Sequence, residues 1–134
     1  MRHRSIYITA EDRARIDWLM LFCDIFTEAE QKRIRRLYYD ISQGHVVRAD
    51  QIPANVVTTH SRIKLEEIKG DTEVALFLVF PDETNKGFGR VSILTPIGAE
   101  LFGRRVGDIV ESKTATRVRR FIIKSTQYLN RNSI

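Results

Sequence analysis

Residues able to do chemistry are sparse in this chain, and their spacing excludes more than it offers. His3, His45 and His60 are scattered, Cys23 falls on the apolar stripe of a helix, and no group of His, Cys, Asp or Glu has metal-ligand spacing. No Gly-rich phosphate loop is present. Ser61 follows His60, but neighbours in a strand point to opposite faces, so a hydrolase reading fails on geometry. The chemistry left is charge. The net charge is +5, and most of the basic excess follows Glu111, after which no acidic residue occurs. Arg117, Arg119 and Arg120 in that tail, and Lys32, Arg33 and Arg36 upstream, are candidates for attracting nucleic acid or an acidic protein surface. The alternative for both groups is a solvated surface.

The elements that must carry these residues fall into two parts. Thr9 with Asp12, and Thr27 with Glu30, read as capping boxes: the hydroxyl caps a backbone N–H and the carboxylate returns toward the cap. Ile16, Leu19, Met20 and Cys23 then recur at helical spacing, as do Ile34, Leu37, Tyr38 and Ile41, and Gly44 supplies a stop. This predicts an antiparallel helical hairpin with a loop around Asp24 to Phe26, its first helix about 20 Å long at 1.5 Å per residue. Trp18, Leu21, Phe22, Ile25 and Phe26 add apolar area at the distal end beyond one stripe. That surface needs cover, from the rest of the chain or from a partner.

Beyond Gln51-Ile52-Pro53 the pattern becomes extended, dividing the chain into residues 1–48 and 49–134. Strands are predicted at Val56 to Ile68, Glu73 to Phe80, Gly89 to Leu94, Val106 to Ser112 and Arg117 to Tyr128, with turns at Lys69-Gly70-Asp71, Pro81 to Gly87 and Gly107-Asp108. Between the third and fourth strands, Thr95 caps a short helix, Pro96 occupies its first position and Gly103 is its left-handed stop. The fold class is α+β: a short hairpin followed by an antiparallel sheet clasping one small helix.

Composition sets further bounds. Charged residues at 29% and hydrophobic residues at 43% suit an ordinary globular chain. One cysteine excludes an intrachain disulfide, and no apolar run is long enough to cross a membrane, so the cytoplasm is the expected compartment. No cofactor and no metal are expected. Oligomeric state is not readable from the sequence.

The ordered motifs Thr95-Pro96-Ile97-Gly98, Glu100-Leu101-Phe102-Gly103 and Val106-Gly107-Asp108, with Val56, Val57, Ser61 and Ile63 upstream, resemble the C-terminal domain of the bacterial GreA/GreB transcript-cleavage factors. Whole-chain length and the form Val56-Val57-Thr58-Thr59-His60-Ser61-Arg62 narrow the resemblance to the Rnk-type branch, regulators of nucleoside diphosphate kinase with a shortened hairpin. The resemblance implies an FKBP-like C-terminal domain behind a short coiled coil. It implies RNA polymerase as partner, at the rim of the secondary channel, through Thr95, Pro96, Ile97 and Gly98, with Asp82 and Glu83 nearby. In Gre factors a long coiled coil carries acidic residues to the catalytic magnesium. Asp24, Phe26 and Glu28 are similar to that tip, but an insertion alters the spacing and capping already explains Thr27 and Glu28. The expectation is therefore a non-enzymatic regulator of transcription elongation that competes with Gre factors without stimulating cleavage. The alternatives are a direct nucleic-acid-binding module making weak contacts, and a regulator of nucleotide metabolism.

Overall fold

The computed structural model describes residues 4–129. His3, and Arg131 of the basic tail, lie outside the described residues. The chain begins with a two-residue strand, β1 (Tyr7–Ile8), that the hydropathy pattern does not reveal. It pairs in parallel with β2 (His45–Val46), the strand that leaves the hairpin. Between them run α1 (Ala10–Leu21), a 3-10 turn (Cys23–Ile25) and α2 (Glu28–Ser42).

Both helix starts are capped by the threonines expected, but only one box is complete. Thr27 Oγ1 accepts from Glu30 N at 3.2 Å, while Glu30 Oε1 accepts from Thr27 N at 3.1 Å. Thr9 Oγ1 likewise accepts from Asp12 N, at 3.2 Å. The Asp12 carboxylate, however, turns away from the cap toward the sheet.

The second part is a five-stranded sheet of β3 (Ser61–Glu67), β4 (Glu73–Val79), β5 (Arg90–Ser92), β6 (Ile109–Lys113) and β7 (Val118–Tyr128), in the order β5-β4-β3-β7-β6. It is mixed rather than antiparallel. β4 and β5 pair in parallel, Phe77 with Arg90 and Val79 with Ser92, because segment 80–89, with a 3-10 turn at Pro81–Lys86, carries the chain back before β5 starts. The first predicted strand is also shorter than expected. Val56 makes only an isolated bridge to Arg105, and His60, at φ 66°, interrupts extension just before β3.

α3 (Pro96–Leu101) brings Leu101 and Phe102 fully into the core beside Ile63, Leu78, Phe121 and Ile123. Gly103 follows at φ 82°, the stop expected of it. The hairpin stripe of Ile16, Leu19, Ile34, Leu37 and Ile41 belongs to the same apolar cluster as the sheet. Each fully buried aliphatic side chain there contributes about 1.5–3 kcal/mol. Ile6 joins the two parts: a Cβ on Gly44 would stand 2.6 Å from Ile6 Cβ, and a Cβ on Gly103 would stand 2.5 Å from Ile6 Cδ1. Gly44 therefore admits a close approach, and the helix itself ends two residues earlier, at Ser42.

Candidate functional site

Three side chains far apart in sequence meet between α1, the residues just before β3 and the 3-10 turn after β4. His60 Nδ1 lies 3.2 Å from Asp12 Oδ2, and His60 Nε2 lies 2.9 Å from Glu83 Oε1. Thr59 Oγ1 donates to Asp12 Oδ2 at 2.6 Å, and Phe80 N donates to Glu83 Oε1 at 3.1 Å. Asp12, His60, Thr59 and Glu83 are all buried. With a carboxylate at each ring nitrogen, both nitrogens donate, which is the charged imidazolium. Burial pulls the His60 pKa down, but the hydrogen bonds and charges of Asp12 and Glu83 outweigh it, and the net direction is up. Burial raises Glu83, yet His60, the Phe80 N–H and the charge of Arg15 lower it overall.

Arg15 completes the group. Its guanidinium lies 3.3 Å from Glu83, pairs with Asp82 and sits 4.1 Å above the Phe80 ring. Three carboxylates, Asp12, Asp82 and Glu83, thus meet His60 and Arg15 in a clasp between α1, the residues before β3 and the 3-10 turn after β4. A depression of about 740 Å³, lined in part by Glu11, Asp12, Arg48, His60 and Tyr128, opens beside it.

This arrangement revises the role of Glu83. It is inward and fully engaged, whereas Asp82 at the same turn is exposed and paired with Arg15. The sequence reading missed His60 and Asp12 because residues 12, 60 and 83 show no common spacing. The available signal was the acid in the Thr9 box together with a histidine adjoining a polar Thr58-Thr59 pair before a strand.

The start of α3 is built as its residue types dictate. Thr95 Oγ1 accepts from Gly98 N at 3.1 Å and donates to Ser92 O at 2.7 Å, and Pro96 follows the cap. Gly98 is required by packing, since a Cβ there would lie 2.1 Å from Ser92 O. Of the four residues carried over by resemblance, Pro96 is exposed, Thr95 and Ile97 are half-buried, and Gly98 is buried. Arg33 Nη1 donates to Leu94 O at 3.1 Å, tying α2 to this corner.

The basic candidates do not form one patch. Arg119 makes two bonds to Glu67, at 3.1 and 2.8 Å, and Arg117 stands 3.7 Å from the same carboxylate. Arg120 pairs with Glu111 at 3.2 Å, and Arg36 with Asp40 at 3.2 Å. The tail arginines are thus answered by carboxylates on neighbouring strands, which a count of charge along the chain does not reveal. Lys32 remains exposed.

At the far end of the hairpin, Asp24 and Glu28 are exposed and Phe26 is half-buried. Trp18, Leu21, Phe22 and Ile25 are 53%, 75%, 40% and 69% exposed. The other described residues leave this apolar surface open. A cleft of about 660 Å³ adjoins it, lined by Trp18, Leu19, Phe26, Phe80 and Pro81, with Arg15 and Asp82 at its edge. No group of three or more His, Cys, Asp or Glu suited to a metal occurs among the described residues.

Fold and site together define an α+β protein in which a short helical arm is clasped to a sheet-rich C-terminal module. Residues 52–128 match the family described as transcription elongation factor, GreA/GreB, C-terminal, and the chain belongs to that family. It is 28% identical over 96 residues to transcription elongation factor GreA of Thermodesulfovibrio yellowstonii, a match spanning 72% of this chain and 61% of that protein. With GreA of Clostridium beijerinckii it shares 32% identity over 98 residues, 73% of this chain and 59% of the relative. The chain thus matches about three fifths of the length of these relatives. Among solved structures, a prokaryotic transcription elongation factor GreA/GreB from Nitrosomonas europaea superposes with a TM-score of 0.79 at 26% identity, covering 92% of this chain and 100% of that one. Gfh1 of Thermus aquaticus shares the fold, with a TM-score of 0.51 at 18% identity over 92% of this chain and 98% of its own. No helix among the described residues is long and apolar enough to cross a membrane.

Proposed function

We propose that this chain is a Rnk-type regulator of transcription elongation that binds RNA polymerase at the mouth of the secondary channel, competes there with Gre factors and does not stimulate transcript cleavage. The observation carrying this reading is the hairpin. Its helices have 12 and 15 residues, so the longer spans about 22 Å at 1.5 Å per residue. That is short for carrying a carboxylate from the channel mouth to a deeply placed metal. Its end is apolar, and α1 is held down on the sheet by the Asp12–His60–Glu83 clasp.

The docking elements in this reading are the exposed edge of the α3 entrance at Thr95, Pro96 and Ile97, together with Asp82. The sheet module is taken as FKBP-like in outline and as a docking module rather than an enzyme, since fold alone does not license catalysis. The cytoplasm, where polymerase works, is its compartment. Co-purification with core RNA polymerase, with and without excess GreA, tests the reading. Retention that GreA displaces is the expected result; no retention overturns it. Release of short 3′ RNA from backtracked complexes on adding this protein overturns the non-cleaving part.

A further inference from the structure

We propose that the outer face of the sheet, at Arg62, Lys64, Phe77 and Arg90 with Phe88 at its rim, is a platform for single-stranded nucleic acid. The pairing register places Arg62 beside Phe77 and Phe77 beside Arg90, in one row across β3, β4 and β5. Lys64 lies beside Ala75 in the next row. Ile63, Leu65, Leu76 and Leu78 fill the opposite face; on this one Arg62 and Lys64 are exposed, Arg90 is half-buried, and Phe77 is buried beneath them, so the open ring of the surface is that of Phe88. Arg62, Phe77, Phe88 and Arg90 line a shallow depression of about 400 Å³.

Its chemistry is that of a stacking surface edged by positive charge. Phe88 is completely exposed and stands between Gly87 and Gly89, the latter at φ 73°, so no neighbouring side chain shields the ring. Arg90 lays its guanidinium 5.0 Å from the Phe77 ring centre. Arg62 and Lys64 are exposed and have no carboxylate partner among the described residues, in contrast to Arg117, Arg119 and Arg120. Two residues apart on one strand, they stand about 6.6 Å apart, within reach of successive phosphates. Glu66 and Glu73 stand opposite each other in the row beyond Lys64 and Ala75, where Glu66 is 3.8 Å from Lys124. An open aromatic ring beside unpaired cations fits an unstacked base and its phosphate, whereas a duplex would hide its bases from Phe88. An acidic protein segment would use the cations but has no need of the ring.

The test is fluorescence anisotropy with a short labelled single-stranded RNA of mixed sequence, between about 50 and about 200 mM salt. The full chain is expected to bind saturably. Phe88→Ala should weaken binding at least about fivefold with the salt slope unchanged, and Phe88→Trp should restore it. Arg62→Gln with Lys64→Gln should reduce the slope of log K against log salt by about 1.4, at about 0.7 per lost phosphate contact. Thermal melts of each variant check that folding is intact; these side chains are on the surface. Absence of saturable binding at about 50 mM salt overturns the proposal. So does equal affinity for duplex, indifference to Phe88, or binding of an acidic peptide in place of RNA. Polymerase retention measured on the same variants is independent, so loss of one activity without the other separates this site from the docking reading.

Discussion

The two ends of the hairpin are built on opposite principles. At its base, α1 is fixed by buried, directional, charge-paired hydrogen bonds among Asp12, Thr59, His60 and Glu83. Its tip has a capping box at Thr27 for its backbone, but its outward surface is apolar, presenting Trp18, Leu21, Phe22 and Ile25 to solvent with the Trp18 and Phe22 rings 4.8 Å apart. A polar clasp fixes orientation, because each bond has a geometry and each unmet charge is costly. An apolar end leaves the choice of partner to shape and burial. The contrast describes an arm that is aimed by its root and adhesive at its end.

That comparison can be broken most forcefully at the root. Asp12→Ala leaves the His60 ring and the Thr59 hydroxyl without their α1 partner, and the unfolding free energy should fall by about 3 kcal/mol in urea titrations. A loss no larger than that of an ordinary surface substitution would show the clasp to be incidental.

The pH dependence sharpens it next. His60 is raised from its ordinary 6.5, so its contribution is complete below that value and declines as pH climbs through its folded pKa. Glu83 is lowered from 4.5, so its contribution is complete above that value and declines as pH drops through its folded pKa. Stability from the clasp should therefore be greatest between 4.5 and 6.5. His60→Gln should flatten the alkaline limb of the urea midpoint plotted against pH.

At the tip the effects on stability are smaller. Thr27→Ala removes the complete capping box of α2 and should cost about 1 kcal/mol, read as a lower melting temperature. Leu21→Ser with Ile25→Ser should change stability by no more than about 0.5 kcal/mol, yet reduce retention on core RNA polymerase at least about fivefold. Equal retention would mean that the adhesive end serves another partner.

Legibility in the sequence followed the range over which each interaction acts. Thr27, Thr95 and Gly103 act within a few residues of themselves, and the elements they delimit stand where their types indicate. β1 and β2 are two residues each, too short for any periodicity. Alternation cannot tell a parallel neighbour from an antiparallel one, so the direction of β5 beside β4 was hidden. The clasp was hidden for a further reason: a capping box at Thr9 assigned the Asp12 carboxylate to the cap, whereas only the Asp12 N–H goes there and the carboxylate goes to Thr59 and His60. The tail arginines misled in the converse way, because a run without acids in sequence lies beside Glu67 and Glu111 in space. Family motifs identified the sheet module but left the docking residues at the α3 entrance unequal, one exposed, two half-buried and one buried.

Ile6 presses against both Gly44, where the arm rejoins the body, and Gly103, where α3 ends. Hydrogen is the only substituent either position accommodates without something moving. Gly44→Ala or Gly103→Ala would therefore push the same Ile6 side chain out of place, so one residue makes the exit from the hairpin and the exit from α3 interdependent.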